Sequence, residues 1–388
     1  MIEQFRLDFK RNFLTSFNVV ILLAFALVLL SGFLNDLNSD VAINQSTTFT
    51  AIKSASATIQ ERIKGLNENP EENAEMLTAE KARLKYVQDM ILLTAGPFDA
   101  QELNQLYLNY AKYNLQEIQA GRGESVVLLP FPDKELNVTE TELKKDIALY
   151  EYLIAHQMAE VPSYFIKVPA IHYLTNTLLY RVPIFILLLF FCIQLAQLFT
   201  IDKHNGTSQL LNDAPTKKIK LLTSKIFTFF ALTLPLFFIA LGIVFLLNVS
   251  LYGLGQLDYP LIVSTGAESF QILTMANFLL LYLLLLLVIL IFLATLSAFS
   301  SLFSGNFGVN LFVLVVPILL MQSGILASGF LRKIAKFLPS SYLEVGKFLI
   351  RTTPWPVGSL TTGLSVLLLS AALCYVLSAL VLQKRQAL

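Results

Sequence analysis

Charged side chains and cysteines are both scarce in this chain of 388 residues, which has 14% charged residues and two cysteines. With 55% hydrophobic residues, the sequence has too little polar surface to cover a soluble domain of this length. Cys192 and Cys374 both lie in apolar stretches, so the polar part of the chain has no cysteine for a disulfide. A formal net charge of +1 offers no basic surface for nucleic acid. The composition therefore indicates an integral membrane protein.

Motifs for catalysis and nucleotide binding are also missing. The sequence contains no Gly-x-x-x-x-Gly-Lys-[Ser/Thr], no His-Glu-x-x-His, no Gly-x-Ser-x-Gly and no cysteine cluster. Its three histidines include no pair at the spacing of metal ligands. We therefore expect no catalytic residue, no metal and no cofactor in this chain, which counts against a membrane enzyme.

Six apolar stretches are long enough to cross a bilayer core of about 30 Å, which needs about 20 helical residues. We predict an all-α polytopic membrane protein with six transmembrane helices and a large, mainly α-helical extracytoplasmic domain between the first two. Residues 1–16 are predicted to form an amphipathic helix on the cytoplasmic face. The six stretches are Phe17–Leu34, Val182–Ile201, Ile226–Leu251, Ile272–Phe299, Val309–Phe330 and Gly358–Leu382.

The predicted domains are residues 17–34 as the first span, 35–180 as the extracytoplasmic insert, 181–201 as the second span, 202–225 as a cytoplasmic loop and 226–388 as spans three to six. The first span is expected to be an uncleaved anchor, because no small-x-small cleavage site follows its core. Within the insert, Asp99 and the Thr139–Glu142 pattern predict helix N-termini. Val126–Leu129 is predicted to be a short strand.

Charge near the span ends predicts the orientation. The insert holds 20 of the 27 acidic residues, counted from Asp36 to Glu160, and only 12 of the 28 Lys and Arg residues, so the remainder of the chain is basic. Three basic groups fall on one side of a six-span arrangement, and by the positive-inside rule that side is cytoplasmic. The groups are Arg6, Lys10 and Arg11; Lys203, Lys217, Lys218, Lys220 and Lys225; and Lys384 and Arg385. We expect the plasma membrane of a bacterium, with both termini in the cytoplasm.

A basic segment near residues 331–357 falls outside in this arrangement. Its apolar pieces are too short to span, so we predict a re-entrant hairpin with its charges at the outer headgroups. The alternative is a seventh span, which would leave either Lys384 or the N-terminal charges outside. The candidate residues of this outer segment are Arg332, Lys336, Pro339, Tyr342 and Glu344.

Polar residues inside the spans are candidates for a substrate path, because lipid makes them costly. Hydrogen bonding between helices is the alternative that sequence alone leaves open. Proline residues 235 and 317 are expected to kink spans three and five. The candidate path residues are Gln194, Gln197, Asn277 and Asn310.

The loop between spans two and three carries the most informative pattern. Gly206 suits a turn out of span two, and Leu210 with Leu211 is an apolar pair on a loop, which favours a partner surface. An ordinary basic loop would explain the lysines but not these residues. The pattern, in order, is Asp202, His204, Gly206, Thr207, Leu210, Leu211, Pro215, Thr216, Lys217 and Lys225.

This pattern resembles that of the permease subunits of type-2 ATP-binding-cassette exporters. There, the same loop has an acid, Gly-Thr, Leu-Leu, a Pro, a small polar residue, a base and finally a Lys at the head of span three. The segment Leu338–Glu344 is similar to the family's Pro-small-Tyr segment before the last span, and the layout of spans and outer domain also agrees. His204 departs from the family, which often has a second acid at that position.

The resemblance implies that residues 202–225 form a coupling helix docked on a separate ATPase chain, which would hold ATP and Mg²⁺. It also implies pairing with a second permease copy or a related permease, within membrane lipid and without nucleic acid. The expected function is export of an amphipathic or lipid-like substrate, such as a peptide antibiotic. The alternatives are an ion-extruding permease of the same kind, and a membrane sensor or scaffold whose outer domain binds a ligand.

Overall fold

The computed structural model describes residues 45–387 except 98, 123–138, 162–166, 205, 207–217 and 266–268; before these it describes residues 5–6, 9–10, 19–21, 23–24, 26–28, 30 and 33. The chain divides into two compact units. The membrane unit comprises Met1–Asn35, Leu174–Leu251 and Phe278–Leu388. The insert unit comprises Asp36–Tyr173 and Tyr252–Asn277.

The insert unit is built mainly from four helices: α1 (Gln45–Leu66), α2 (Ala74–Thr94), α3 (Ala100–Gln119) and α4 (Glu140–Ala155). Helix α1 packs against α2, α2 against α3, and α3 against α4. Both predicted helix starts are confirmed. The Asp99 carboxylate accepts a hydrogen bond from the Gln101 N–H at 2.9 Å, and Thr139 with Glu142 forms a capping box. The predicted strand at Val126–Leu129 lies outside the described residues.

A β-hairpin completes the insert unit and corrects two predictions. Strands β1 (Pro260–Ser264) and β2 (Phe270–Thr274) pair antiparallel, with Ile262 opposite Ile272, and β1 packs against α4. The described chain is therefore mostly helical rather than all-α. Span four was predicted to begin at Ile272, but this residue belongs to β2 and the helix begins at Met275. In the sequence, the apolar residues of this five-residue strand are continuous with those of the helix that follows, so the two read as one apolar stretch.

Helix α5 (Ala170–Asn176) and a π-helical turn (Thr177–Arg181) lead from the insert unit into the membrane unit. In the π turn the Val182 N–H donates to the Thr177 carbonyl at 3.0 Å, a bond across five residues. His172, on α5, is buried and packs its ring on that of Tyr259, with 4.5 Å between the ring centres. Burial lowers the pKa of His172 to about 4, so this histidine is neutral at physiological pH.

Four of the described helices in the membrane unit are long and apolar enough to cross a bilayer. They are α6 (Ile184–His204), α7 (Lys218–Tyr252), α8 (Met275–Phe303) and the last helix, Leu360–Ala387, here α12. Pro235 lies inside α7, and Cys192 is buried on α6. A shorter apolar helix, Val19–Val28, runs through part of the predicted first span.

The predicted fifth span is shorter than expected. Helix α9 (Phe307–Gln322) has 16 residues, which corresponds to a length of about 24 Å, and it contains Pro317. The apolar pattern predicts a span that continues to Phe330. The helix ends at Gln322, and Gly324 follows with a left-handed φ of +69°, a conformation that glycine adopts without steric cost.

Candidate functional site

The loop at residues 202–225 is described at its two ends. Helix α6 ends at His204, and α7 begins at Lys218. Gly206 has a φ of +71°, and its N–H donates to the Lys203 carbonyl at 3.4 Å, so the predicted turn out of span two is confirmed. Six of the predicted residues lie outside the described part of the chain: Thr207, Leu210, Leu211, Pro215, Thr216 and Lys217.

Asp202 and Lys225, the first and last residues of the predicted pattern, form an ion pair with each other. The side chains are only 6% and 12% exposed, respectively. The Lys225 ammonium also donates to the Leu198 carbonyl at 3.4 Å and lies 6.0 Å from the centre of the Phe199 ring. The pair joins the last turn of α6 to the first turns of α7. Breaking such a buried pair typically costs about 3–5 kcal/mol, because it strands an uncompensated charge.

Lys203 connects the same site to α8. Its ammonium donates to the Ser301 carbonyl at 2.6 Å, in the last turn of α8, where helix carbonyls have no partner within the helix. Gly305 lies against this side chain: a Cβ added there would fall 2.6 Å from Lys203 Cδ. The sequence indicates Lys203 only as a cytoplasmic charge, and its contact with α8 carries no sequence signal.

Thr223 connects the site to α12. Its hydroxyl donates to the Ile219 carbonyl at 2.8 Å and lies 2.9 Å from the Tyr375 hydroxyl. Because the single threonine proton is directed at Ile219, Tyr375 is the donor in the second bond. Four helices therefore meet where the loop leaves the membrane unit. We call this set the base cluster: Asp202, Lys203, Thr223, Lys225, Ser301 and Tyr375.

The polar residues predicted for a substrate path lie in different settings. Thr233 Oγ1 on α7 donates to Gln194 Oε1 on α6 at 3.1 Å, and both residues are buried. Gln197, which is also on α6, is half-buried. Asn277 is exposed in the first turn of α8, and its N–H donates to Thr274 Oγ1 at 3.3 Å.

Asn310 on α9 exchanges two bonds with Ser297 on α8, and both side chains are fully buried. The serine hydroxyl donates to Asn310 Oδ1 at 3.0 Å, and Asn310 Nδ2 donates to the Ser297 carbonyl at 3.1 Å. The bonds made by Gln194 and Asn310 fit the interpretation that these residues join helices. A substrate path through them stays a prediction.

The segment between α9 and α12 consists of short pieces. They are a 3₁₀ turn (Ile325–Ala327), α10 (Gly329–Ile334), the 3₁₀ turns Ala335–Phe337 and Pro339–Tyr342, and α11 (Val345–Leu349). The six residues of α10 extend about 9 Å and the five of α11 still less, so neither piece can form a seventh span. The Pro339–Tyr342 turn packs against α9 and α12.

Buried hydrogen bonds organise this segment. The Tyr342 hydroxyl donates to the Lys336 carbonyl at 2.6 Å, and Trp355 Nε1 donates to the Ser341 carbonyl at 3.1 Å. Arg332 and Lys336 are exposed, while Glu344 pairs with Lys347 at 2.6 Å. The cations therefore lie at the surface of the segment, whereas Tyr342 and Trp355 are buried. The placement of these cations at the outer headgroups stays a prediction.

One family model matches the chain: the model described as ABC-2 family transporter protein aligns with residues 16–380. The match includes the base cluster, the whole insert and the segment between α9 and α12. No curated protein and no solved structure matches the chain.

Proposed function

The chain belongs to the ABC-2 transporter family, and on that premise we propose that it is the permease subunit of an ATP-driven exporter. Permeases of this family normally work with an ABC ATPase. The sequence has no Walker A motif, so ATP and Mg²⁺ would bind to a separate ATPase chain. In this proposal the loop 202–225 docks on that ATPase.

The base cluster is the observation that carries the proposal. A force applied to the loop would reach α6 and α7 through the Asp202–Lys225 pair, α8 through Lys203, and α12 through Tyr375. Asp202 and Lys225 are positioning residues in this account: they hold the two ends of the loop, and the residues between them face the ATPase. Because close-packed helices transmit displacement, movement of the loop would tilt the helices together.

The insert unit supports the proposed topology. Its two parts, Asp36–Tyr173 and Tyr252–Asn277, belong to one compact unit. We propose that this unit lies on one side of the membrane. The chain between them contains the candidate spans α6 and α7, an even number, as a common side requires. With the basic loop 202–225 in the cytoplasm, both parts are outside and the termini are inside.

Two copies, or one copy and a related permease, would assemble through apolar helix faces. Leu369 and Leu373 on α12 and Leu246 on α7 are among the exposed apolar side chains available to a partner permease or to lipid. The proposed cargo is amphipathic or lipid-like, such as a peptide antibiotic, because the spans are apolar and the candidate path residues are uncharged. The direction of transport is outward.

A pull-down from native membranes tests the proposal. The tagged chain should recover a nucleotide-binding subunit in a 1:1 ratio, and recovery should fall when Leu210 and Leu211 are both changed to Glu. A Leu92→Glu variant, which makes the same kind of change at an exposed leucine of the insert unit, serves as the matched control. Absence of any ATPase from the wild-type pull-down contradicts the proposal.

A further inference from the structure

The segment between α9 and α12 has an exposed surface that is both basic and apolar. Three of its residues are large apolar side chains that are 47%, 72% and 62% exposed, and three are exposed cations. The stretch that carries them packs on α9 and α12, and Leu326 and Ala335 within it are fully buried. We call the exposed residues the basic patch: Ile325, Phe330, Arg332, Lys333, Lys336 and Phe337.

Helix lengths give the depth of this segment in a bilayer. Helix α9 begins at Phe307, shortly after Ser301 of the base cluster, and its 16 residues extend about 24 Å. From Leu360, where α12 begins, to Tyr375 of the base cluster the helix rises about 22 Å. Both lengths are shorter than a bilayer core of about 30 Å. With the base cluster at one boundary of the bilayer, the segment therefore lies where hydrocarbon meets the headgroups of the other leaflet.

The cations of the basic patch outnumber the acids near them in the sequence. Between α9 and α12 the chain has five cations and one acid, Glu344, and this acid pairs with Lys347. Among the residues that the structure describes, no carboxylate lies within ion-pair distance of Arg332, Lys333 or Lys336. Each such cation near an anionic membrane strengthens binding about fivefold. The patch therefore has charge complementarity to an anionic surface.

The apolar and basic side chains of the patch alternate along the chain. Phe330 and Lys333 are three residues apart on α10, so they lie on one face of that helix. The Lys336 ammonium lies 5.0 Å from the centre of the Phe337 ring. Long basic side chains at a membrane boundary keep their stems against apolar groups and their charged ends at the headgroups. Aromatic rings beside such cations suit the acyl region just below.

We infer that the basic patch binds the headgroups of anionic lipids. The three cations contact the lipid phosphates, and Phe330 and Phe337 enter the upper acyl region. Exposed rings alone would suit any lipid, whereas cations without acidic partners favour a headgroup with a net negative charge over a zwitterionic one. The inference concerns the end of the membrane unit opposite the base cluster, so it stands or falls separately from the proposed ATPase partnership.

Photo-crosslinking from the patch tests this inference. The full chain with Phe337→benzoylphenylalanine, a photoreactive aromatic residue, is reconstituted in nanodiscs of phosphatidylglycerol and phosphatidylcholine in equal amounts. Lipid adducts are identified by mass spectrometry, and those of phosphatidylglycerol should exceed those of phosphatidylcholine by about fivefold or more. Equal amounts of the two adducts would mean contact with lipid without selectivity. Absence of lipid adducts would mean that the patch faces water or a protein. Either result overturns the inference.

Removal of the charges makes the same test specific. In the crosslinking background, R332Q/K333Q/K336Q should reduce the ratio of the two adducts to that of the lipids supplied, because the rings remain and only the charges are lost. Arg332→Lys, which keeps all three charges, should retain the excess of phosphatidylglycerol. An excess that persists in R332Q/K333Q/K336Q overturns the inference.

A matched control separates the patch from the total charge of the chain. The variant K64Q/K81Q/K85Q removes three exposed cations from α1 and α2 of the insert unit, so its net charge changes by the same amount. It should retain the excess of phosphatidylglycerol adducts. Loss of the excess in this control would assign the selectivity to total charge and would also overturn the inference.

Discussion

The two compact units bury ion pairs at different places, and the difference reflects their surroundings. In the membrane unit, Asp202 and Lys225 join two helices at their ends, where the apolar spans begin and end. In the insert unit, Glu80 and Arg83 lie one turn apart in the interior of α2, and Asn114 and Arg122 extend the network to α3 and its end. Lipid restricts the first pair to the helix ends, whereas the second forms part of a domain core. The comparison predicts that breaking the first pair disconnects helices and breaking the second loosens one domain.

The largest effect is expected from Asp202→Ala. It leaves the Lys225 ammonium buried with the Leu198 carbonyl, at a cost of about 3–5 kcal/mol. The melting temperature of the purified chain in detergent should fall sharply, and the exchange D202K/K225D should recover part of the loss. Lys220→Gln is the control. A melting temperature for Asp202→Ala equal to that of the control would show that the pair contributes nothing.

A loss of similar size, restricted to the insert unit, is expected from Arg83→Met. The substitution leaves the Glu80 carboxylate in the core without its guanidinium partner. Hydrogen exchange should accelerate in α2 and α3 and stay unchanged in α6 and α7. Equal acceleration in α6 and α7 would mean that the two units unfold together, and the comparison would fail.

A smaller effect is expected from Thr139→Ala at the start of α4. Loss of the capping box should cost about 1 kcal/mol, because the Glu142 N–H loses its side-chain acceptor. Thr141→Ala, two residues along the same helix, is the matched control. Denaturant unfolding should show a lower midpoint for Thr139→Ala than for Thr141→Ala. Identical midpoints would show that the cap contributes no stability.

The last effect concerns pH. Burial raises the pKa of Glu160 to about 8, with the nearby Asp146 adding to the shift, while the Tyr150 hydroxyl donates to Glu160 at 3.3 Å. An acid whose pKa is raised on folding stabilises the fold while it is protonated, so stability should decline as pH rises through about 8. The melting temperature of the wild type should therefore fall as the pH is raised from about 6 to about 9, a range that includes this pKa. The melting temperature of Glu160→Gln should fall less over the same pH range. An equal fall in both proteins would mean that other groups cause the pH dependence of stability.

Local signals were readable from the sequence and distant pairings were not. Asp99, Thr139 and Gly206 were identified because a cap or a left-handed turn depends on neighbouring residues only. The Asp202–Lys225 pair joins residues on two helices, and the sequence pattern placed both only among the predicted ATPase-coupling residues of the loop. Strand pairing is equally non-local, so Ile272 was assigned to a span.

The span count shows the same limit. Apolar length identified α6, α7, α8 and α12, where long uninterrupted runs leave no other interpretation. Apolar length overestimated α9. The helix ends at Gln322, but Ser323 and Gly324 interrupt the apolar run for only two residues before it continues to Phe330.

The central claim is that the base cluster connects an ATPase-facing loop to the transmembrane helices, and coupled ATPase activity tests it most directly. The permease is reconstituted with its co-purified ATPase, and ATP hydrolysis is measured for wild type, D202A, K225A, D202A/K225A and D202K/K225D. The account predicts that each single variant loses most of the permease-dependent hydrolysis while retaining the bound ATPase. It also predicts that the double variant is no worse than either single variant and that the exchange restores activity. Independent, additive losses with no recovery in the exchange would contradict the account.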